Sequence, residues 1–241
     1  MLMKKKLLMI LISICSLSLS AQSNNDTAVV LELFTSQGCS SCPPADELLD
    51  EIREEYQDQN VFVLSYHVDY WNRLGWRDPF STEEFSDYQR DYGSQFRSRS
   101  IYTPQLVVNG SEHFTGSNRY KASDALKKYK KAKTTNSINL DNIKQNGDIL
   151  SFDYKVNGAN FNTVTLTLVV SERTTNIARG ENRNRKLKNT NIVATRTVKR
   201  DDKGMVAITI PSWVHTNDKL SIIGYTQDTS LRTTGATKVD I

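Results

Sequence analysis

Apolar positions follow two spacings over the first half of the chain. Val29–Phe34 (VVLELF) and Val61–Val68 (VFVLSYHV) are short, nearly continuous apolar runs, each the length of a buried strand. Between them, Ala45, Leu48, Leu49, Ile52 and Tyr56 recur at intervals of three and four, the stripe of a helix. Pro43 and Pro44 suit its first turn, where no backbone N–H is required. Ser81, with Glu84 three residues on, predicts a capping-box start to a second helix. PQLVVNG reads as a strand running into an Asn–Gly turn, and HFTG returns beside it as a hairpin. A third helix follows over 117–133, its lysines gathered where the helix dipole favours them. The predicted order is β-α-β-α-β-β-α.

From Ser137 the pattern changes to strand-like runs: INLDNIK, ILSFDYKV, TVTLTLVV, IVATRTV, MVAITI and KLSIIGYT. Turn signals at Asn146–Gly147, Asn157–Gly158 and Lys203–Gly204 separate several of them. Six or seven short strands in about 100 residues, with no helix among them, predict an antiparallel β-sandwich. Residues 29–134 therefore read as an α/β domain and 137–241 as a β-sandwich domain, with no internal repeat.

The first residues stand apart from both. Lys4, Lys5 and Lys6 precede an apolar run from Leu7 to about Leu19, and small residues lead to Ala21. This is the layout of a cleaved secretory signal peptide over 1–21, followed by a polar leader over 22–28. The apolar run falls short of the roughly 20 residues of a membrane span. Ile14 precedes Cys15 where a lipidated cysteine would want a small residue. Cleavage removes three lysines and no acid, so 31 basic residues fall to 28 against 27 acidic ones, a net charge of +1. A nearly neutral chain lacks the electrostatic basis for a nucleic-acid partner. Only Cys39 and Cys42 remain, a single close pair suited to an oxidising compartment, secreted or periplasmic.

That pair, in FTSQGCSSCPP, lies between the first strand and the first helix. A helix N-terminus offers unpaired N–H groups and partial positive charge, which stabilise a thiolate. Cys39 would be the attacking thiol and Cys42 the resolving one. Three uses remain open at this point: catalysed disulfide exchange with a protein thiol, a structural disulfide in a binding protein, and a metal site. Structural zinc wants four protein ligands, and only two cysteines and distant histidines are present. The remaining metal alternative is a copper site with His67 as third ligand. No metal or other cofactor is expected.

IYTPQLVV places Pro104 directly before a strand, after the second helix. Together with the element order and CSSC, it resembles thioredoxin-like proteins, in which a cis-proline faces the cysteine pair. The resemblance implies a thioredoxin-like fold for 29–134, with Thr103 offering backbone groups to an extended substrate. LELFTSQGCSSCPPADELL, HVDYWNRLGWRDPF, YTPQLVVNG and ARGENRNRKLKNTNIV together resemble a family of secreted bacterial proteins of unknown function. That family has a thioredoxin-like N-terminal half and a β-rich C-terminal half. It implies fold and export but no substrate.

SYHVDYWNRLGWRDPF is the densest unusual stretch. It starts at the C-terminal end of the second strand, the same sheet edge as the cysteines in a parallel β-α-β unit. His67, Asp69, Tyr70, Trp71 and Trp76 are therefore candidate substrate-binding residues, with His67 suited to proton transfer. The alternative for this stretch is structural, with the tryptophans pinning a loop and Asp78 opening a turn before Pro79. Glu32, in the first strand, is a candidate proton acceptor beneath Cys42. Its parity is offset by one from the position of thioredoxin's buried aspartate, which falls on Leu33, and a one-residue shift reverses a strand's face. Ile177–Asn189 is a polar loop with five basic residues and Glu181, suited to an acidic partner or to docking on the first domain. His113 and His215 read as surface residues. The expected function is thiol–disulfide oxidoreductase, with a non-catalytic binding protein as the alternative.

Overall fold

The computed structural model describes residues 27–241; the expected signal peptide, with Cys15, and the polar stretch through residue 26 lie outside the described residues. β1 (Val29–Thr35) leads through the cysteine turn into α1 (Pro43–Glu55) and then β2 (Val61–His67). α2 (Glu83–Gln95), β3 (Gln105–Val108), β4 (Glu112–Thr115) and α3 (Arg119–Tyr129) follow in the predicted order. The second half holds β5 (Asn136–Asn146), β6 (Ile149–Gly158), β7 (Thr163–Asn176), β8 (Lys186–Lys199), β9 (Lys203–Thr209), β10 (Leu220–Gln227) and β11 (Thr233–Asp240). No helix among the described residues is long and apolar enough to cross a membrane.

The fold is mixed α/β, built on a large mixed sheet in the order β11-β10-β7-β8-β2-β1-β3-β4, with β5-β6-β9 as a second sheet. The strands of the second half do not close only on one another. β8 runs parallel to β2, joined at Ser65 and Ile192, so strands from both halves share one sheet. The composition of β7 explains why. Val164, Leu166, Leu168 and Val170 are buried in the cluster under β5-β6-β9, while Thr165 and Thr167 between them are fully buried too. A strand covered on both faces belongs in the middle of a wide sheet.

Alternate residues of β1 serve two cores. Leu31 and Leu33 meet Leu48, Leu49 and Ile52 of α1 and Leu126 of α3. Val30 and Phe34 meet Tyr88 and Tyr92 of α2 on the opposite face. β3 and β4 form the expected hairpin, with Asn109 and Gly110 both at positive φ.

Three local differences from the predicted pattern have physical causes. The cap of α2 is Thr82, whose hydroxyl accepts the Phe85 N–H at 3.3 Å; the Ser81 hydroxyl is instead held by Asp78 O and Asn72. β7 and β8 keep pairing to Asn176 and Lys186, which shortens the polar loop and thrusts it beyond the sheet. β11 had no apolar run to announce it and forms because it pairs along β10.

Candidate functional site

The chain leaves β1 at Thr35 and turns twice before α1: the Cys39 N–H donates to Ser36 O at 3.1 Å and the Cys42 N–H to Cys39 O at 3.3 Å. Cys39 and Cys42 are joined as a disulfide, and Cys42 caps α1. Pro43 and Pro44 fill the first helical positions, so two backbone donors expected near the sulfurs are missing. A side chain supplies polarity there: Ser41 Oγ is 3.4 Å from Cys39 Sγ.

Beneath the pair lies a buried acid–base cluster. Asp46 follows Cys42 by four residues, so the two occupy one face of α1. Asp46 Oδ2 accepts from Thr35 Oγ1 at 3.2 Å, and Thr35 is paired across the sheet with His67. His67 Nδ1 is 2.7 Å from Asp78 Oδ2, and the same oxygen accepts the Gln37 N–H at 2.8 Å. Asp78 is thus a structural anchor and a histidine partner, beyond opening a turn. Three buried atoms here make no hydrogen bond of ordinary geometry, Asp46 Oδ1, His67 Nε2 and Asn189 Nδ2, although Asn189 lies close enough to the Asp46 carboxyl to pull its pKa down. Burial pushes the Asp46 carboxyl up to about 7 against the pull of His67 and Thr35. Burial alone would lower the His67 imidazole, but Asp78 and then Asp46 hold it above its usual value. Among the described residues no group of three or more His, Cys, Asp and Glu side chains is arranged to hold a metal ion.

The tryptophans reach the cysteine turn and Thr103. Trp76 Nε1 donates to Gln37 Oε1 at 3.2 Å, and Trp71 Nε1 to Thr103 Oγ1 at 2.7 Å. Trp71 also lies against Gly38, where an added Cβ would come within 3.3 Å of the Trp71 Cβ. The Thr103–Pro104 bond is cis. Pro104 adjoins the first turn of α1, since a Cβ on Gly116 would sit 3.1 Å from Ala45 Cβ and 3.3 Å from Pro104 Cβ. Asp69 turns away and is held by Ser86 of α2, whereas the Tyr70 hydroxyl donates to Gln89 of α2 at 3.1 Å and lies beside Thr103, with its ring next to Trp71. His113 is half-buried against Tyr102 and Phe96 rather than on the surface, whereas His215 is exposed.

The β7–β8 loop closes the site. Asn182 Nδ2 donates to Gln37 O and Cys39 O, each at 2.9 Å, and Glu181 Oε2 accepts the Ser40 N–H at 3.1 Å. Under this cover Cys39 and Cys42 are both 0% exposed.

Glu32 is not brought to the cysteines. Its side chain enters the α2 core, where Tyr88 donates to Oε1 at 2.7 Å, Tyr225 to Oε1 at 2.8 Å and Tyr92 to Oε2. Burial raises its pKa despite these bonds and the nearby Arg196. Strand alternation decides the matter: Leu33 and Thr35 face α1, and Glu32 faces away. The carboxylate that shares the cysteine face is Asp46. Its signal was present, because position 46 lies three before Leu49 and four after Cys42 on the apolar stripe. Asn182 and Asn189 carried no periodic signal.

A crystal structure of protein AGR_C_4864 from Agrobacterium tumefaciens is similar over 90% of this chain and 96% of its own, with 27% identity and a TM-score of 0.62. A β-glucuronidase from Ruminococcus gnavus matches 46% of this chain and 16% of its own at 13% identity, with a TM-score of 0.28, too low to bear on fold or function. No curated protein matches the chain. The family model described as "Protein of unknown function (DUF1223)" matches residues 30–227, and the chain belongs to that family.

Proposed function

We propose that the protein is an exported thiol–disulfide oxidoreductase with a thioredoxin-like N-terminal domain over 29–134. In the oxidising direction, a substrate thiolate attacks Cys39 Sγ, the Cys39–Cys42 bond breaks, and Cys42 leaves as a thiolate that takes a proton from Asp46. A second substrate thiol gives its proton to the Asp46 carboxylate and attacks the substrate sulfur of the mixed disulfide, and Cys39 leaves as a thiolate that takes from solvent the proton the first substrate thiol released. The substrate leaves as a disulfide and the pair as two thiols. The reverse sequence returns the proton to Asp46. Thr103 and Pro104, beside the first turn of α1, offer an edge for an extended substrate segment.

The observation that carries this reading is the buried acid–base cluster under the disulfide, in which Asp46 Oδ1 and His67 Nε2 have no hydrogen-bond partner. Buried polar groups are rarely left without hydrogen bonds, and each exception calls for an explanation. An acid raised to about 7 beside an imidazole is suited to proton transfer near neutral pH. A structural staple has no use for it. One observation favours the alternative, a binding protein with a structural disulfide: both cysteines are fully covered.

Thiol trapping across a graded glutathione series decides between them. A reversible two-electron transition between about −120 and −270 mV places the pair among exchange catalysts. A disulfide still closed well below about −300 mV makes it structural and sinks the enzyme reading.

A further inference from the structure

Two loops far apart in sequence meet over the disulfide. The Trp71–Trp76 segment and the β7–β8 loop abut at Gly180, where an added Cβ would lie 3.1 Å from Trp76 Cβ and 3.5 Å from Leu74 O. Arg73 and Arg77 come from one loop and Arg179 and Arg183 from the other, and all four are exposed. None of the four pairs with a carboxylate among the described residues, though Arg73 donates to Tyr70 O. The acid within this rim is Glu181, and it is occupied as the tether from the β7–β8 loop to the Ser40 N–H. On a chain whose charges otherwise nearly balance, four unpaired guanidinium groups at one end of the sheet form a local positive field.

The cover has to move for any exchange to occur. Cys39 is fully buried, with Asn182 bonded across its carbonyl and that of Gln37, so an incoming thiolate has no line of attack while the loop is down. What holds the loop is a carboxylate and a carboxamide on backbone groups of the cysteine turn. A carboxylate presented by another chain can make the bond Glu181 makes, and the rim attracts it.

We propose that this basic rim is the docking surface for an acidic segment of a thiol-bearing partner protein, whose carboxylate replaces Glu181 at Ser40 and lifts the loop from the disulfide. The inference rests on the exchange reading above. Once the loop is lifted, the partner's two thiols pass two electrons and two protons to the pair and become a disulfide, as written above.

The test uses dithiol peptides of one core sequence flanked by glutamates, glutamines or lysines, with uncharged dithiothreitol as a probe of access. Reduction rates are compared for the wild type, Glu181→Ala and the double variant Arg179→Glu/Arg183→Glu. At low ionic strength the glutamate-flanked peptide should react at least about tenfold faster than the lysine-flanked one, and salt should shrink that ratio. The double variant should bring it close to one, and Glu181→Ala, which leaves the Ser40 N–H without its acceptor, should raise the dithiothreitol rate several-fold. A wild-type ratio near one, or a ratio the double variant leaves unchanged, overturns the docking surface while leaving exchange intact. An unchanged dithiothreitol rate in Glu181→Ala overturns the tether. If dithiothreitol reduces the pair only after the protein unfolds, in the wild type and every variant, then exchange itself fails and the inference with it.

Discussion

Replacing Asp46 with asparagine tests the buried cluster through stability. Asp46 titrates at about 7 in the folded chain against an ordinary 3.8, a difference of roughly three pH units. Each unit corresponds to about 1.36 kcal/mol, so the full difference is on the order of 4 kcal/mol. The sign follows from proton binding. Between the two values the folded chain holds a proton at Asp46 that the unfolded chain has released. Stability from this group is therefore fully present below about pH 4 and is lost progressively as pH rises to about 7. His67 and Glu32, both raised, act in the same direction, so the wild-type curve alone does not isolate Asp46. Asparagine keeps an oxygen to accept from Thr35 and carries no titrating proton. Urea unfolding with the disulfide intact should show the wild type losing about 3 kcal/mol more than Asp46→Asn between about pH 5 and pH 8. The comparison is between slopes, so a uniform destabilisation of the variant does not matter. Parallel curves would refute the assignment, because Asp46 would then be ionised in the folded chain at pH 5.

Glu32→Ala strips the acceptor from three buried tyrosine hydroxyls and the counter-charge from Arg196, and should cost about 3–5 kcal/mol in urea unfolding. The redox equilibrium of the pair should stay where it was; a large shift would mean Glu32 acts on the cysteines after all. Ser41→Ala removes the hydroxyl beside Cys39 Sγ and should lower the thiolate fraction of the reduced pair at a given pH, read from thiolate absorbance. No change there would mean Ser41 does not face the thiolate. Gly110→Ala places a Cβ 1.8 Å from Leu231 O at a φ of 58°, and should destabilise by at least about 1–3 kcal/mol. A neutral result in thermal unfolding would contradict the close approach of the β3–β4 turn to the β10–β11 connection.

Much of the first half was legible because its signals are local. The stripe Ala45, Leu48, Leu49, Ile52 selects a helix whatever lies around it, and the prolines place its start. VVLELF is a strand by composition, and Asn109–Gly110 turns back because both residues accept positive φ. The cysteine pair between that strand and helix was visible for the same reason, as was the arrival of Trp71 and Trp76 from the end of β2. Local signals failed where two adjacent residues competed: Ser81 and Thr82 both suit a cap, and tertiary bonds to Ser81 settled the choice.

Everything that depends on which face or which neighbour a segment finds was decided by the tertiary structure. Glu32 and Asp46 are both acids in apolar segments; the path of β1 into the cysteine turn sends one to the tyrosines of α2 and the other beneath the disulfide. TVTLTLVV announces a strand but not that β8 beside it will align with β2, since that pairing joins Ser65 to Ile192 across a long loop of chain. The lengthened β7–β8 hairpin then sets Asn182 and Glu181 on the cysteine turn, a contact written in no periodicity. Residue order determined the elements and the presence of a cysteine pair, because propensity and patterning act over a few neighbours. The proton-bearing group under the pair and the cover over it came from long-range packing, where burying apolar area outweighs any single side chain's preference.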